Sequence, residues 1–334
     1  METRVTPKPN TSASLSAIHA LVERDFGQVN DRIRAQLHSE VPLINEIGGY
    51  IIDGGGKRLR PLVVLLAAGA CGYRGNQHIA LAAVVEFLHT ATLLHDDVVD
   101  MSDLRRGRAT ANANWGNAPS VLVGDFIYSR AFQLMVEIGD LPVMRVLAST
   151  TNTLAEGEIL QLVNTGRIDL TEADYLRVIQ HKTAQLFSAA AESAALLANC
   201  QETEVGILRR YGNHLGMAFQ LIDDLLDYDG DTHTLGKNLG DDLAEGKPTL
   251  PLIHCMAQSS EPDAKTVATA LRDRSSERLD EVVDIVRRSG ALDYTRTQAY
   301  QQLQNALECA AQLRPSPYRD GLAQIARFAV ERDS

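Results

Sequence analysis

Apolar residues recur at intervals of three and four through most of the chain, most clearly from Leu21 to Leu37, Ile79 to Val99 and Val121 to Ile138. That spacing draws one apolar stripe along a helix of 3.6 residues per turn, so each segment is predicted to be a helix with a face in a core. Glycine and proline punctuate the pattern at Gly54-Gly55-Gly56, at Gly72 to Gly75, around Gly107 to Pro119, at Gly139 to Pro142, at Gly166 to Thr171 and at Gly230 to Pro248. The segment Glu156-Gly157-Glu158 falls inside a helical run that ends near Val163, and amphipathic helices resume from Thr249 to Arg332. No run alternates with period two between hairpin turns, so no strand is predicted. One all-α domain over residues 17–334 follows, preceded by a polar, flexible arm of sixteen residues that contains Pro7 and Pro9.

Composition sharpens this picture. With 45% hydrophobic residues, 22% charged and only 5% aromatic, the 334-residue chain can bury a large core and favours helix over sheet. A net charge of -11 argues against nucleic acid as a partner, because phosphate binding draws on a basic face. Cys71, Cys200, Cys255 and Cys309 form no C-x-x-C pair, so neither a zinc site nor a disulfide framework is expected. No apolar stretch is read as long enough to span a bilayer, and the first sixteen residues lack the apolar core of a signal peptide. A cytoplasmic protein, at most peripheral to a membrane, is the expectation.

Two segments depart from the amphipathic pattern. His95-Asp96-Asp97-Val98-Val99-Asp100 ends one apolar helix with three carboxylates, and Asp223-Asp224-Leu225-Leu226-Asp227 ends another in the same way. On a helix, positions i and i+4 share a face with Cβ atoms about 5–6 Å apart, so Asp96 and Asp100 pair, as do Asp223 and Asp227, while Asp97 points aside. Carboxylates near a helix C-terminus oppose the macrodipole and call for cations, from Lys, Arg or a metal. One acidic helix end alone is as readily a solvated cap. Two matching ones in apolar surroundings point to a metal, since buried unpaired carboxylates are costly. All-oxygen donors suit Mg²⁺, with Mn²⁺ as a substitute, and Mg²⁺ binds through one or two carboxylates together with substrate phosphates.

With their surroundings, these motifs resemble the two aspartate-rich motifs of the trans-isoprenyl (polyprenyl) diphosphate synthases. The resemblance spans nearly the whole chain and includes Gly54-Gly55-Gly56-Lys57-Arg58-Leu59-Arg60-Pro61, Asp96 to Gly107, His181-Lys182-Thr183 and Phe219-Gln220. It continues through Leu235-Gly236-Lys237, Gly240-Asp241-Asp242-Leu243 and Gly246-Lys247-Pro248-Thr249. It implies antiparallel helices around a deep central cavity, a homodimer, and condensation of isopentenyl diphosphate with an allylic prenyl diphosphate. It also implies a metal site of Asp96, Asp97, Asp100, Asp223 and Asp227. Of these, Asp96, Asp100 and Asp223 would be direct ligands, and Asp97 and Asp227, with Asp241, would hold metal-bound water. Arg105, Lys182, Lys237 and Lys247 match the allylic diphosphate site, and Lys57, Arg60, His89 and Arg106 the isopentenyl diphosphate site. Thr183 and Gln220 match residues whose dipoles face the carbocation.

His95 is read as a core histidine, and Glu156, Glu158 and Gln161 as a solvated helical face. The fourth and fifth residues before the first motif, Thr92 and Ala91, match positions that set product length in the family, and their small size implies a long product. Val85, Leu88 and Thr92 share a helical face with Asp96, whereas Ala91 lies well off it. Phe132 and Met135 are a candidate floor, or simply core. The expected product is octaprenyl diphosphate for a quinone side chain, with transient membrane contact on release, and nonaprenyl diphosphate is the nearest alternative. A terpene cyclase would carry a different second metal motif from Asp223 to Asp227. A non-catalytic subunit of a heteromeric synthase would be expected to lack some of these residues. A structural cation-binding protein leaves the basic residues unexplained.

Overall fold

The computed structural model describes residues 11–105, 107–229, 240–275 and 277–332. The apolar periodicity becomes helices α1 (Thr11–Leu37), α2 (Pro42–Asp53), α3 (Leu59–Ala70), α4 (Gln77–Val99), α5 (Ala111–Trp115), α6 (Asn117–Ile138) and α7 (Leu141–Asn164). After α8 (Glu172–Ile179) comes a π-helical turn (Gln180–Ala184), then α9 (Gln185–Leu197) and α10 (Glu202–Asp229). The chain ends with α11 (Asp241–Ala244), α12 (Leu250–Gln258), α13 (Glu261–Asp273), α14 (Leu279–Arg288), α15 (Ala291–Ala311) and α16 (Pro317–Glu331).

Of the ten residues from Leu59 to Ala68 in α3, all but Arg60 are buried, so this helix is central, packed by α1, α4, α9 and α16. Around it, α4 packs on α6, and α10 on α9 and α15. A second apolar cluster joins Leu225 and Tyr228 of α10 to Leu243, Leu252, Val267 and Val282 of the C-terminal helices. The end of α10 is thereby anchored from both sides. Helix ends follow local chemistry: Gly139 (φ 71°) stops α6, and the Asp140 carboxylate accepts the Val143 N–H at 3.0 Å to start α7.

Several details depart from the sequence reading. α1 begins at Thr11, so residues 11–16 are helical rather than part of an arm, and residues 1–10 lie outside the described residues. Leu104–Arg105 (β1) and Arg108–Ala109 (β2) form a two-residue antiparallel hairpin where no strand was expected. It is too short for period two to register, and the left-handed Gly107 (φ 72°) lies in its turn. One described helix, α4, has the length and apolarity to cross a membrane, but most of its apolar stretch is buried in the bundle. Its apolar positions cover more than one face because α3, α6, α1 and α9 all pack on it.

The π-helical turn is held between two close-approaching helices. A Cβ on Gly157 of α7 would lie 2.7 Å from the Lys182 backbone nitrogen, and one on Gly216 of α10 would collide with Ala184. Backbones therefore meet here with no side chain between them, and the turn is driven toward the core of the bundle. Alanine would gain about 1 kcal/mol of helix propensity at Gly157, but overpacking typically costs about 1–3 kcal/mol. Gly157→Ala is expected to lower the urea unfolding free energy. Gly27→Ala, in α1 with nothing within 4 Å of the new methyl, is expected to raise it by about 0.5–1 kcal/mol.

Candidate active site

A cavity of about 680 Å³ opens between the C-terminal ends of α4 and α10, the π-helical turn, α7 and the loop after α2. From α4 it is lined by Glu86, His89, Leu93, Asp96 and Asp100, a helical stripe of three- and four-residue steps. From α10 it is lined by Phe219, Gln220, Asp223, Asp224 and Asp227. The two aspartate motifs thus face the same space from two helices.

So many like charges are sustained by interleaved cations. Unit charges 4 Å apart repel by about 4 kcal/mol at an effective dielectric of 20, and an unpaired buried carboxylate costs several kcal/mol more. Lys182 Nζ lies 3.4 Å from Asp96 and donates to Glu158 at 2.7 Å and to Gln161 at 2.6 Å. Lys247 Nζ donates to Asp100 at 2.8 Å and is also paired with Glu245. Arg332 donates to Asp223 at 2.5 Å and to the Phe219 carbonyl at 3.0 Å, with its guanidinium 3.8 Å from the Phe219 ring centre. Asp227 accepts the Asp242 N–H at 3.2 Å.

Asp97 is buried and does not line the cavity. Arg105 grips its carboxylate with Nε and Nη2, each at 2.7 Å, while Arg105 itself reaches the cavity wall. Its geometry is that of a support for Arg105, which differs from the expected place beside a metal. Thr183 Oγ1 donates to Gln220 Oε1 at 2.7 Å, and Gln220 Nε2 donates to Asp224 Oδ1 at 2.8 Å. Tyr175 donates its hydroxyl to Asp224 Oδ2 at 2.5 Å.

The second group of basic residues lies on the α2–α3 side. Lys57 Nζ sits 5.1 Å from the Phe328 ring centre, and Arg60 lies 4.3 Å over Phe187 with Nη1 3.2 Å from His89 Nε2. The guanidinium can only donate, so His89 presents Nε2 as an acceptor. Arg58, at a left-handed φ of 44°, also lines the cavity and pairs with Asn30 of α1 and Glu86 of α4. Lys237 and Arg106 lie outside the described residues. Ala91 is fully buried in the core and does not line the cavity, whereas Thr92 does, its hydroxyl donating to the His89 carbonyl at 2.8 Å. Val85 and Leu88 are core as well. Phe132 is partly exposed on the outside of the chain beside Tyr128, and Met135 is core, so neither lines the cavity.

Burial perturbs two of the acids, Glu158 and Asp224. Glu158 is pushed up to about 7 by burial, with Lys182 pulling the other way and Asp96 adding to the rise. Asp224 is pushed up to about 8, first by burial and then by Asp242. For Lys182 burial works against the charge, but Asp96 and Glu158 outweigh it, and the ammonium is held above its ordinary value. Glu158 and Gln161 are therefore not a solvated face; of the three residues so read, only Glu156 is exposed. Gly157, between the two glutamates, was the available signal, since a glycine within a helix marks a close contact. Arg332 gave no local signal at all.

Among the described residues, no three His, Cys, Asp or Glu side chains converge as a preformed metal site. The donor set still fits a magnesium ion. It is all carboxylate, faces a cavity large enough for a phosphate-bearing ligand, and is neutralised by Lys182 and Lys247. For the metal-free protein, Glu158 yields a pH expectation. Its folded value lies above its ordinary 4.5, so its contribution to stability is complete below about pH 4.5 and is lost as pH rises through about 7. Glu158→Gln should flatten that fall, read from urea midpoints at pH 5 and pH 8.

A profile of the polyprenyl synthetase family matches residues 41–287. The chain is 51% identical over 321 residues to octaprenyl diphosphate synthase of Escherichia coli (strain K12), covering 96% of this chain and 99% of that protein. It is 45% identical to the all-trans-nonaprenyl-diphosphate synthase (geranyl-diphosphate specific) of Rhodobacter capsulatus, covering 94% and 97%. Among solved structures it matches a polyprenyl synthase from Caulobacter crescentus CB15, complexed with calcium and isoprenyl diphosphate. There the TM-score is 0.93 at 44% identity, over 96% of this chain and 98% of that one.

Proposed function

The chain belongs to the polyprenyl synthetase family, and from that premise we propose that it is a long-chain all-trans polyprenyl diphosphate synthase whose product is octaprenyl diphosphate. It is a prenyltransferase, of a family that uses isopentenyl and allylic diphosphates and a divalent metal. The observation that carries the reading is the pair of aspartate motifs facing one cavity whose other walls carry Lys182, Lys247, Arg105, Lys57 and Arg60.

In this reading Lys182, Lys247, Arg105 and Lys237 bind the allylic diphosphate, and Lys57, Arg60, His89 and Arg106 hold isopentenyl diphosphate apart from the carboxylates. The separation matters because one diphosphate must leave and the other must stay. Asp96, Asp100 and Asp223, with Asp227 nearby, would hold magnesium, which when bound would neutralise the charge that develops on the leaving diphosphate. The allylic C–O bond breaks, the double bond of isopentenyl diphosphate closes a new C–C bond, and the proton lost passes to the departing diphosphate. Thr183 and Gln220 turn their dipoles toward the cationic carbon. Guanidinium groups at Arg60 and Arg105 suit bidentate phosphate contacts.

Farnesyl or geranyl diphosphate is the proposed primer. The small side chain of Thr92, at the cavity wall, supports a long product; Ala91 is core and its role rests on the family resemblance, and the nonaprenyl relative keeps nine units as the nearest alternative. Retention of both motifs, Lys57, Arg60, Arg105, Lys182 and Lys247 disfavours a non-catalytic subunit. Purified protein given labelled isopentenyl diphosphate, farnesyl diphosphate and Mg²⁺ should yield products of about eight isoprene units. Folded protein that elongates nothing would refute the proposal. Asp96→Ala and Asp223→Ala should each abolish turnover, and activity surviving in either would remove that residue from the metal site. Ala91→Tyr should shorten the product at some cost in stability, since it overfills a fully buried position.

We also propose a homodimer, in the cytoplasm, with transient membrane contact for release of the apolar product. Leu122, Phe132 and Val136 are exposed apolar residues of α6 spaced to share a face, which supports a second copy there. Leu122→Glu with Val136→Glu should halve the mass seen by analytical ultracentrifugation; an unchanged mass would place the contact elsewhere.

A further inference from the structure

The buried hydrogen bonds beneath the cavity form a single chain with a defined direction. Tyr175 of α8 donates to Asp224 Oδ2 at 2.5 Å, and Gln220 donates from Nε2 to Asp224 Oδ1 at 2.8 Å. Thr183 of the π-helical turn donates to Gln220 Oε1 at 2.7 Å. Tyr175, Asp224 and Thr183 are each less than a tenth exposed. All four residues line the cavity.

Asp224 accepts at both oxygens, from Tyr175 and from Gln220, and that geometry fixes the orientation of the amide. Turned the other way, Gln220 would set its carbonyl oxygen against a carboxylate oxygen and its NH₂ against the Thr183 hydroxyl. Asp224 therefore selects one of two nearly isosteric amide orientations. With Oε1 presented to Thr183, the threonine hydrogen is committed to Gln220, and the oxygen lone pairs of Thr183 are turned away from it. An electron-rich oxygen is what a developing cation requires, and an O–H pointing into the same space would repel it. The π-helical turn sets where Thr183 stands, and the chain sets which way its hydroxyl is polarised.

We propose that Asp224 and Tyr175 are positioning residues for the condensation: they lock the Gln220 amide and, through it, orient the Thr183 oxygen toward the allylic cation. Asp224 is then not a metal ligand, although it belongs to the second aspartate motif. This rests on the reading above in which Thr183 and Gln220 face the cation. Tyr175 lies 49 residues before Asp224 in the chain and carries no motif of its own.

The test compares Asp224→Leu, Asp224→Asn and Tyr175→Phe in the full-length enzyme with Mg²⁺, isopentenyl diphosphate and farnesyl diphosphate. Asp224→Leu removes the acceptor for Gln220 and should lower kcat about 10- to 100-fold, the scale typical of a displaced supporting group, with both KM values within about threefold. Asp224→Asn keeps an oxygen for Gln220 and an N–H for the Tyr175 oxygen, so it should recover most of that loss. Tyr175→Phe should fall between the two. The half-saturating Mg²⁺ concentration should stay constant throughout.

A second readout is independent of turnover. With ¹⁵N-glutamine labelling, the Gln220 side-chain amide signals, identified by their loss in Gln220→Glu, should move in Asp224→Leu and Tyr175→Phe and stay close to wild type in Asp224→Asn. This spectrum serves even if one variant is too unstable to assay. An Asp224→Asn variant as impaired as Asp224→Leu, with a raised Mg²⁺ requirement, would make Asp224 a metal ligand and overturn the proposal. So would wild-type kcat in Asp224→Leu and Tyr175→Phe while Thr183→Val and Gln220→Leu are slow. Wild-type kcat in Thr183→Val and Gln220→Leu would instead overturn the underlying reading of the cation-facing residues.

Discussion

Carboxylates of one sign, gathered on two helix ends around one cavity, repel one another, and the site is organised around neutralising them. Asp96, Asp100 and Asp223 each meet a different cation, namely Lys182, Lys247 and Arg332, and these come from the π-helical turn, the loop before α12 and the end of the chain. Paired carboxylates at helix C-termini are unfavourable in themselves. Their presence is tolerable only because the bundle delivers cations from remote segments. The same arrangement sets cations and carboxylates side by side around one cavity, the electrostatic setting that the proposed phosphate chemistry uses.

The helical scaffold makes this possible through close backbone packing. Gly157 and Gly216 bring α7 and α10 against the turn that carries Lys182 and Thr183, so that Glu158 and Gln161 reach Lys182 from one side and Gln220 reaches Thr183 from the other. The central helix α3 places Arg60 near His89 of α4, a helix whose far end carries the first motif. The cavity wall therefore has two electrostatically different parts: one with the carboxylates of both motifs, and one with Lys57, Arg60 and His89.

Pairing also divides each motif into members with different tasks. Asp96, Asp100, Asp223 and Asp227 face the cavity; Asp97 is turned from it to grip Arg105, and Asp224, at the cavity wall, accepts from Gln220 and Tyr175. The middle aspartate of each motif thus turns to a neighbouring side chain. Helix geometry accounts for it at Asp97, one residue and about 100° around from Asp96.

By itself the sequence determined the helical class, the boundaries of α4 and α6 to within a few residues, and the sharing of a face by Asp96 and Asp100, because 3.6-residue periodicity is local. The motif residues Lys57, Arg60, Lys182, Thr183, Gln220 and Lys247 were also legible, through their resemblance to a family pattern. Tertiary structure alone decided what each polar group meets. Glu158 reads as surface in isolation because its helix is amphipathic, and only packing against the turn buries it. Arg332 stands 109 residues from its partner Asp223, and Tyr175 49 residues from Asp224, separations that no periodicity encodes. The hairpin and the π-helical turn have no such signature for a related reason: the hairpin's strands are two residues each and the turn is five, shorter than the window over which a hydrophobic pattern can declare itself.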